Sequence, residues 1–83
     1  MRVHFIGVAG RAMGGIAIAL ARAGHRVSGS DEDAYEPMRG WLEQAGIRAT
    51  CYAADHVPPD ADAIVVGRRV ATDNVEVRYA RQA

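Results

Sequence analysis

The segment from Val3 to Asp31 sets the limits on what this chain can fold into. Val3, Phe5, Ile6 and Val8 supply the β-branched and aromatic run of a buried strand. Gly7, Ala9 and Gly10 are nearly free of side chain, so a turn there can bring backbone close to a ligand. From Met13 the apolar residues fall at Met13, Ile16, Ala17, Leu20 and Ala21, which is one face of a helix. Gly24 stands where a left-handed helix cap is wanted. His25-Arg26-Val27-Ser28-Gly29-Ser30 reads as the next strand, and Asp31 ends it. Strand, glycine-rich turn, helix, strand and acid, in that order, predict the first βαβ unit of a nucleotide-binding fold.

That geometry has chemical consequences. Free N–H groups at the start of the helix, near Arg11 to Gly14, carry partial positive charge and face whatever anion the turn holds. A diphosphate is the natural occupant. A carboxylate at the end of the second strand is placed to accept hydrogen bonds from a ribose, and Asp31 lies 24 residues after Gly7. The plainer alternative is that Gly7 and Gly10 only permit a tight strand-to-helix turn. The dinucleotide pattern Gly-x-Gly-x-x-Gly reads here Gly7-Val8-Ala9-Gly10-Arg11-Ala12, with alanine at two of the three glycine places. As a NAD fingerprint it is weak, because alanine at the second place crowds a pyrophosphate.

Composition narrows the functional classes. A chain of 83 residues is one small domain that buries only a little over ~60% of its unfolded surface. Net charge is zero, and no like-charge block exceeds Asp31-Glu32-Asp33, so nucleic-acid and membrane-surface roles lack electrostatic support. Lysine is absent, which rules out a Walker-type ATP loop within these residues. Cys51 is the single cysteine and reads as a small core residue; a nucleophile would need a histidine partner, of which His56 is nearest in sequence. No signal-peptide pattern or membrane-length apolar run is present, and a cytoplasmic protein is expected.

Beyond Asp31, Glu36-Pro37 opens a second helix whose apolar face is Met38, Trp41, Leu42 and Ala45, with Trp41 in the core and Gly46 as terminator. Residues 47–52 alternate as a third strand near a sheet edge, and 53–62 form a loop with one helical turn at 54–57. Ala63-Ile64-Val65-Val66 reads as a strand buried on both faces, ending at Gly67-Arg68-Arg69 on the edge where parallel sheets bind ligands. Arg68-Arg69 is either a phosphate clamp or a solvated pair. Asp73 and Glu76 resemble a capping box for a last helix containing Val77 and Ala80. The expected fold is α/β: a Rossmann-like open parallel sheet of about four strands with helices on both faces.

Several stretches together resemble one family. His4-Phe5-Ile6-Gly7-Val8-Ala9-Gly10, Met13-Gly14-Gly15-Ile16-Ala17 and Gly24-His25-Arg26-Val27-Ser28-Gly29-Ser30-Asp31 are similar to the N-terminal domain of the Mur ligases, the ATP-dependent amide-bond-forming enzymes of bacterial cell-wall synthesis. Ala34-Tyr35-Glu36-Pro37-Met38, residues 42–47 and Val65-Val66-Gly67 resemble most the branch that rejoins a recycled peptide to UDP-N-acetylmuramate, and next the alanine-adding branch. The resemblance implies that residues 1–83 are a UDP-sugar-binding domain, a truncated piece of a ligase whose ATPase and C-terminal domains lie elsewhere. It implies that Gly7, Val8, Ala9, Gly10, Arg11, Ala12, Met13 and Gly14 cradle the diphosphate. Asp31, with Ser30 beside it, would contact the uridine side, and Gly67 and Arg68 would close the pocket. Arg11, Ala12, Val75 and the pair Arg68-Arg69, which stands in place of Asn-Ala, depart from the family pattern.

The implied partner is UDP-N-acetylmuramate or a related UDP-sugar, with no nucleic acid and no membrane. ATP and magnesium are expected in the parent ligase through other domains, with no cofactor, metal or catalytic residue in this one. Two alternatives stay open at this level: a NAD(H)-binding domain of an oxidoreductase or nucleotide sensor, and a ligand-free α/β scaffold.

Overall fold

The computed structural model describes residues 1–32 and 34–82. Four parallel strands, β1 (Arg2–Ile6), β2 (Arg26–Ser30), β3 (Ala49–Thr50) and β4 (Ala63–Val66), form one sheet in the order β3-β2-β1-β4. Three helices, α1 (Arg11–Arg22), α2 (Met38–Gln44) and α3 (Val75–Gln82), and a short 3-10 turn at Ala54–His56 complete the chain. This is the expected open α/β architecture.

Alternation along β1 gives the sheet two different faces. Val3 and Phe5 join Val8, Ala17, Leu42 and Ile47 in one apolar cluster, covered by α1 and α2. His4 points to the opposite face, and register pairs it with Ser28 on β2, while Ile6 pairs with Ser30. That face is closed by α3. Glycines set the close approaches on the apolar side. A Cβ on Gly29 would lie 2.6 Å from the Val8 Cβ, and one on Gly14 would lie 2.8 Å from the Met38 Cε. Only a bare Cα at those two places lets the Val8 turn and α2 pack as they do. Gly24 and Gly46 end α1 and α2 with φ of +97° and +82°, the left-handed caps that the sequence predicts.

Beneath α3 lies the one buried polar cluster described. The Glu76 side chain is fully buried. Its Oε1 accepts from the Ser30 hydroxyl at 2.6 Å and meets the His4 Nε2 at 2.8 Å, while its Oε2 accepts from the Ala53 N–H at 3.0 Å. The His4 Nδ1 lies 2.8 Å from the Ser28 Oγ. One carboxylate therefore ties α3 to β1, to β2 and to the segment after β3.

Several expectations need correction. Glu76 does not reach back as a capping box; the Asn74 Oδ1 caps α3 instead, accepting from the Glu76 N–H at 2.8 Å. β4 is an outer strand of the described sheet, and Val66 is 44% exposed, so it is not buried on both faces. β3 has two paired residues rather than six. Trp41 is 51% exposed: Met38, Leu42 and Ala45 take the stripe facing α1, and Trp41 falls at its margin. The Cys51 thiol is exposed, and the His56 Nδ1 contacts the Cys51 carbonyl rather than its sulfur. Asp33, part of the expected acidic run, lies outside the described residues.

Truncating the buried carboxylate tests the cluster. Glu76→Ala is expected to cost several kcal/mol in chemical denaturation, since each buried group left unsatisfied costs about 1–3 kcal/mol. Glu76→Gln keeps the shape and one acceptor and should lose clearly less. Equal, small losses for both variants would contradict this role.

Candidate functional site

The carboxyl ends of β1, β2 and β4 open on a cleft of about 760 Å³. Its floor is the turn between β1 and α1, whose Gly7 and Val8 N–H groups both donate to the Ser30 carbonyl, at 2.8 and 3.0 Å. Gly7 has φ of +88°, and the Val70 Cγ2 lies 2.7 Å from where its Cβ would be. No L side chain fits there without displacing the next turn. That next turn, after β4, is held by the Gly67 N–H donating to the Ile6 carbonyl at 2.7 Å and the Val70 N–H donating to Gly67 at 3.1 Å.

Asp31 braces the other side. Its Oδ2 accepts from the Ala9 N–H at 2.9 Å, and its own N–H donates to the Thr50 carbonyl at 2.8 Å. α1 then starts at Arg11, two residues before the apolar stripe, with Gly10 as its N-cap residue. No side chain caps it, and its first turn holds no acid. Its leading N–H groups and the positive end of its dipole are left to the cleft.

Of the residues singled out in the sequence, Gly7, Ala9, Gly10, Ala12, Met13, Asp31, Gly67 and Arg68 line this cleft together. Val8 and Gly14 do not: Val8 is fully buried against Gly29, and Gly14 packs on Met38. The Ser30 hydroxyl is likewise turned inward to Glu76, so only its carbonyl serves the turn. The Arg11 side chain lies outside the described residues. Glu32, Tyr52, Arg69 and Val70 complete the lining. Tyr52 could have been found, since it follows β3 at the same carboxyl edge; nothing in the sequence marks Val70.

A smaller cleft of about 320 Å³, lined in part by Arg2, His25, Arg26, Gly46 and Ile47, opens at the amino ends of the strands. It sits beside the carboxyl ends of α1 and α2, where helix carbonyls disfavour anions. Among the described residues, no group of three or more His, Cys, Asp or Glu could hold a metal, and no helix is long and apolar enough to cross a membrane.

Comparison with known proteins identifies the lineage of this chain. Residues 2–83 match the model of the Mur ligase family, catalytic domain. The chain belongs to the Mur ligase family. It is 40% identical over 77 residues to UDP-N-acetylmuramate–L-alanine ligase from Streptococcus pyogenes serotype M49 (strain NZ131), which covers 93% of this chain and 17% of that protein. The crystal structure of a murein peptide ligase from Psychrobacter arcticus 273-4 superposes with a TM-score of 0.89 at 35% identity, over 99% of this chain and 17% of that one. UDP-N-acetylmuramate–alanine ligase from Thermotoga maritima gives 0.88 at 30% identity, over 99% and 19%. This Mur ligase chain thus spans about a sixth of the length of these relatives, and both branches suggested by its motifs are among them.

Tyr52 carries a measurable signature of the cleft wall. Burial raises its phenol above the usual 10.0, and the carboxylates of Asp31, Glu76 and Glu32 push it the same way, against a backbone hydrogen bond at Glu32 that lowers it. The folded chain keeps this proton to higher pH than the unfolded chain does. Tyr52 therefore contributes stability that is complete below pH 10 and is lost as pH rises beyond it. In an ultraviolet absorbance titration, Tyr52 should ionise later than an exposed phenol, and Tyr52→Phe should remove that late step.

Proposed function

We propose that this chain binds the UDP moiety of UDP-N-acetylmuramate as the substrate domain of an ATP-dependent amide-bond-forming ligase in peptidoglycan synthesis or recycling. The observation that carries this reading is the uncapped start of α1, which lies in one cleft with Asp31 and the Gly67 turn, in a chain 40% identical to a UDP-N-acetylmuramate–L-alanine ligase. The turn from Gly7 to Met13 receives the diphosphate: the Gly7, Val8, Ala9 and Gly10 N–H groups hold the turn's own shape, and the uncapped N–H groups at the start of α1, near Ala12 and Met13, meet the anion. Asp31 accepts from the ribose hydroxyls while it continues to brace the Ala9 N–H; a carboxylate has lone pairs enough for both.

The work of these residues is to bind and orient the nucleotide end of the substrate. ATP and magnesium belong, in this reading, to other domains of a ligase, as does the choice of the amino acid or peptide added. A cytoplasmic setting follows, since UDP-activated sugars are made and used there. Dinucleotide binding is the weaker alternative: Ala9 and Ala12 occupy two glycine places of that fingerprint, and the family relatives are named for a UDP-sugar.

Calorimetric titration with UDP-N-acetylmuramate, with NADH as the paired control, tests the proposal. The UDP-sugar should bind and NADH should not. Asp31→Ala should weaken the UDP-sugar by roughly ten- to hundredfold, the size of a lost charged hydrogen bond. Binding of NADH alone would contradict the reading.

A further inference from the structure

The charged side chains that line the cleft stand on opposite walls. Asp31 and Glu32 lie at the end of β2, and Arg68 and Arg69 lie in the turn after β4. The start of α1 between them contributes only about half a positive charge. Among the described side chains that line the cleft, Arg68 and Arg69 are the cations and Asp31 and Glu32 the anions.

The arginine turn is also held in place. The Val70 Cγ2 packs over Gly7, and the Gly67 and Val70 N–H groups fix both ends of the turn. Neither Arg68 nor Arg69 takes part in the ion pairs seen between described residues, Arg2–Asp60 and Arg39–Glu43. Both are exposed, so their stems can reach into the cleft while their charges stay hydrated until a ligand arrives.

We infer that Arg68 and Arg69 make this cleft selective for an anionic ligand: they supply the positive charge by which it distinguishes a nucleoside diphosphate from the neutral nucleoside. This rests on the proposed UDP-sugar reading and adds to it where the discrimination lies. A guanidinium pair suits the role because it stays charged and can meet phosphate oxygens in pairs.

The test compares UDP with uridine on the parent chain, on R68A/R69A and on R68K/R69K, at low and high salt. The double alanine variant should lose UDP affinity roughly tenfold, the scale of two exposed ion pairs, with uridine unchanged. Its UDP affinity should depend less on salt, because fewer charges are neutralised on binding. The lysine variant should restore most of the affinity, and the melting temperatures of all three should agree, since neither position is in the core. A double alanine variant that binds UDP within about twofold of the parent, with the same salt dependence, overturns the inference and leaves the UDP-sugar reading standing. Equal weakening of uridine also overturns it, because the arginines would then act through shape. A folded parent chain that binds neither UDP nor UDP-N-acetylmuramate overturns the reading on which the inference rests, and the inference with it.

Discussion

The buried carboxylate of Glu76 is the interaction on which the rest of this structure depends. A polar group out of contact with water is stable only where its lone pairs are answered, and here they are answered by His4, the Ser30 hydroxyl and the Ala53 N–H. Those partners lie on the central strand, on its neighbour and on the segment after β3. The helix that carries Glu76 also buries Val77, and the hydrogen bonds of this one side chain fix it to the sheet. It also explains why β2 reads Ser28-Gly29-Ser30: the serines face the polar layer, and the glycine makes room for Val8 on the other side.

The cleft inherits its rigidity from that layer. The Ser30 carbonyl, whose hydroxyl is held by Glu76, accepts the Gly7 and Val8 N–H groups that shape the floor. The Ala53 N–H, also held by Glu76, follows directly on Tyr52, which forms part of the acidic wall. Val70 locks the arginine turn against Gly7 from the far side. Floor and walls are thus fixed before a ligand arrives, and the uncapped N–H groups of α1 need not reorganise to meet an anion.

Much of this was legible in the sequence, for a physical reason. The βαβ unit, the glycine caps of α1 and α2 and the positions of Gly7, Asp31 and Gly67 depend on local periodicity and backbone conformation, which neighbouring residues dictate. What escaped depends on partners distant along the chain. Glu76 lies 72 residues from His4, and three residues after an acid it reads as a helix cap. Ala63-Ile64-Val65-Val66 has the composition of a central strand, but whether a strand is central is decided by what pairs beside it. Ser30 stands next to Asp31 in sequence, yet the period of two sends its hydroxyl to the opposite side of the sheet.

Amide resonance mapping of the chain during titration with UDP tests most directly the claim that the uncapped end of α1 receives the diphosphate. The amides of Ala9, Gly10, Ala12 and Met13, with Asp31 and residues 67–70, should shift together, and those of Gly46 and Ile47 at the opposite cleft should stay in place. Shifts confined to the cleft around His25, Gly46 and Ile47, or a well-dispersed spectrum that UDP leaves unchanged, would contradict it.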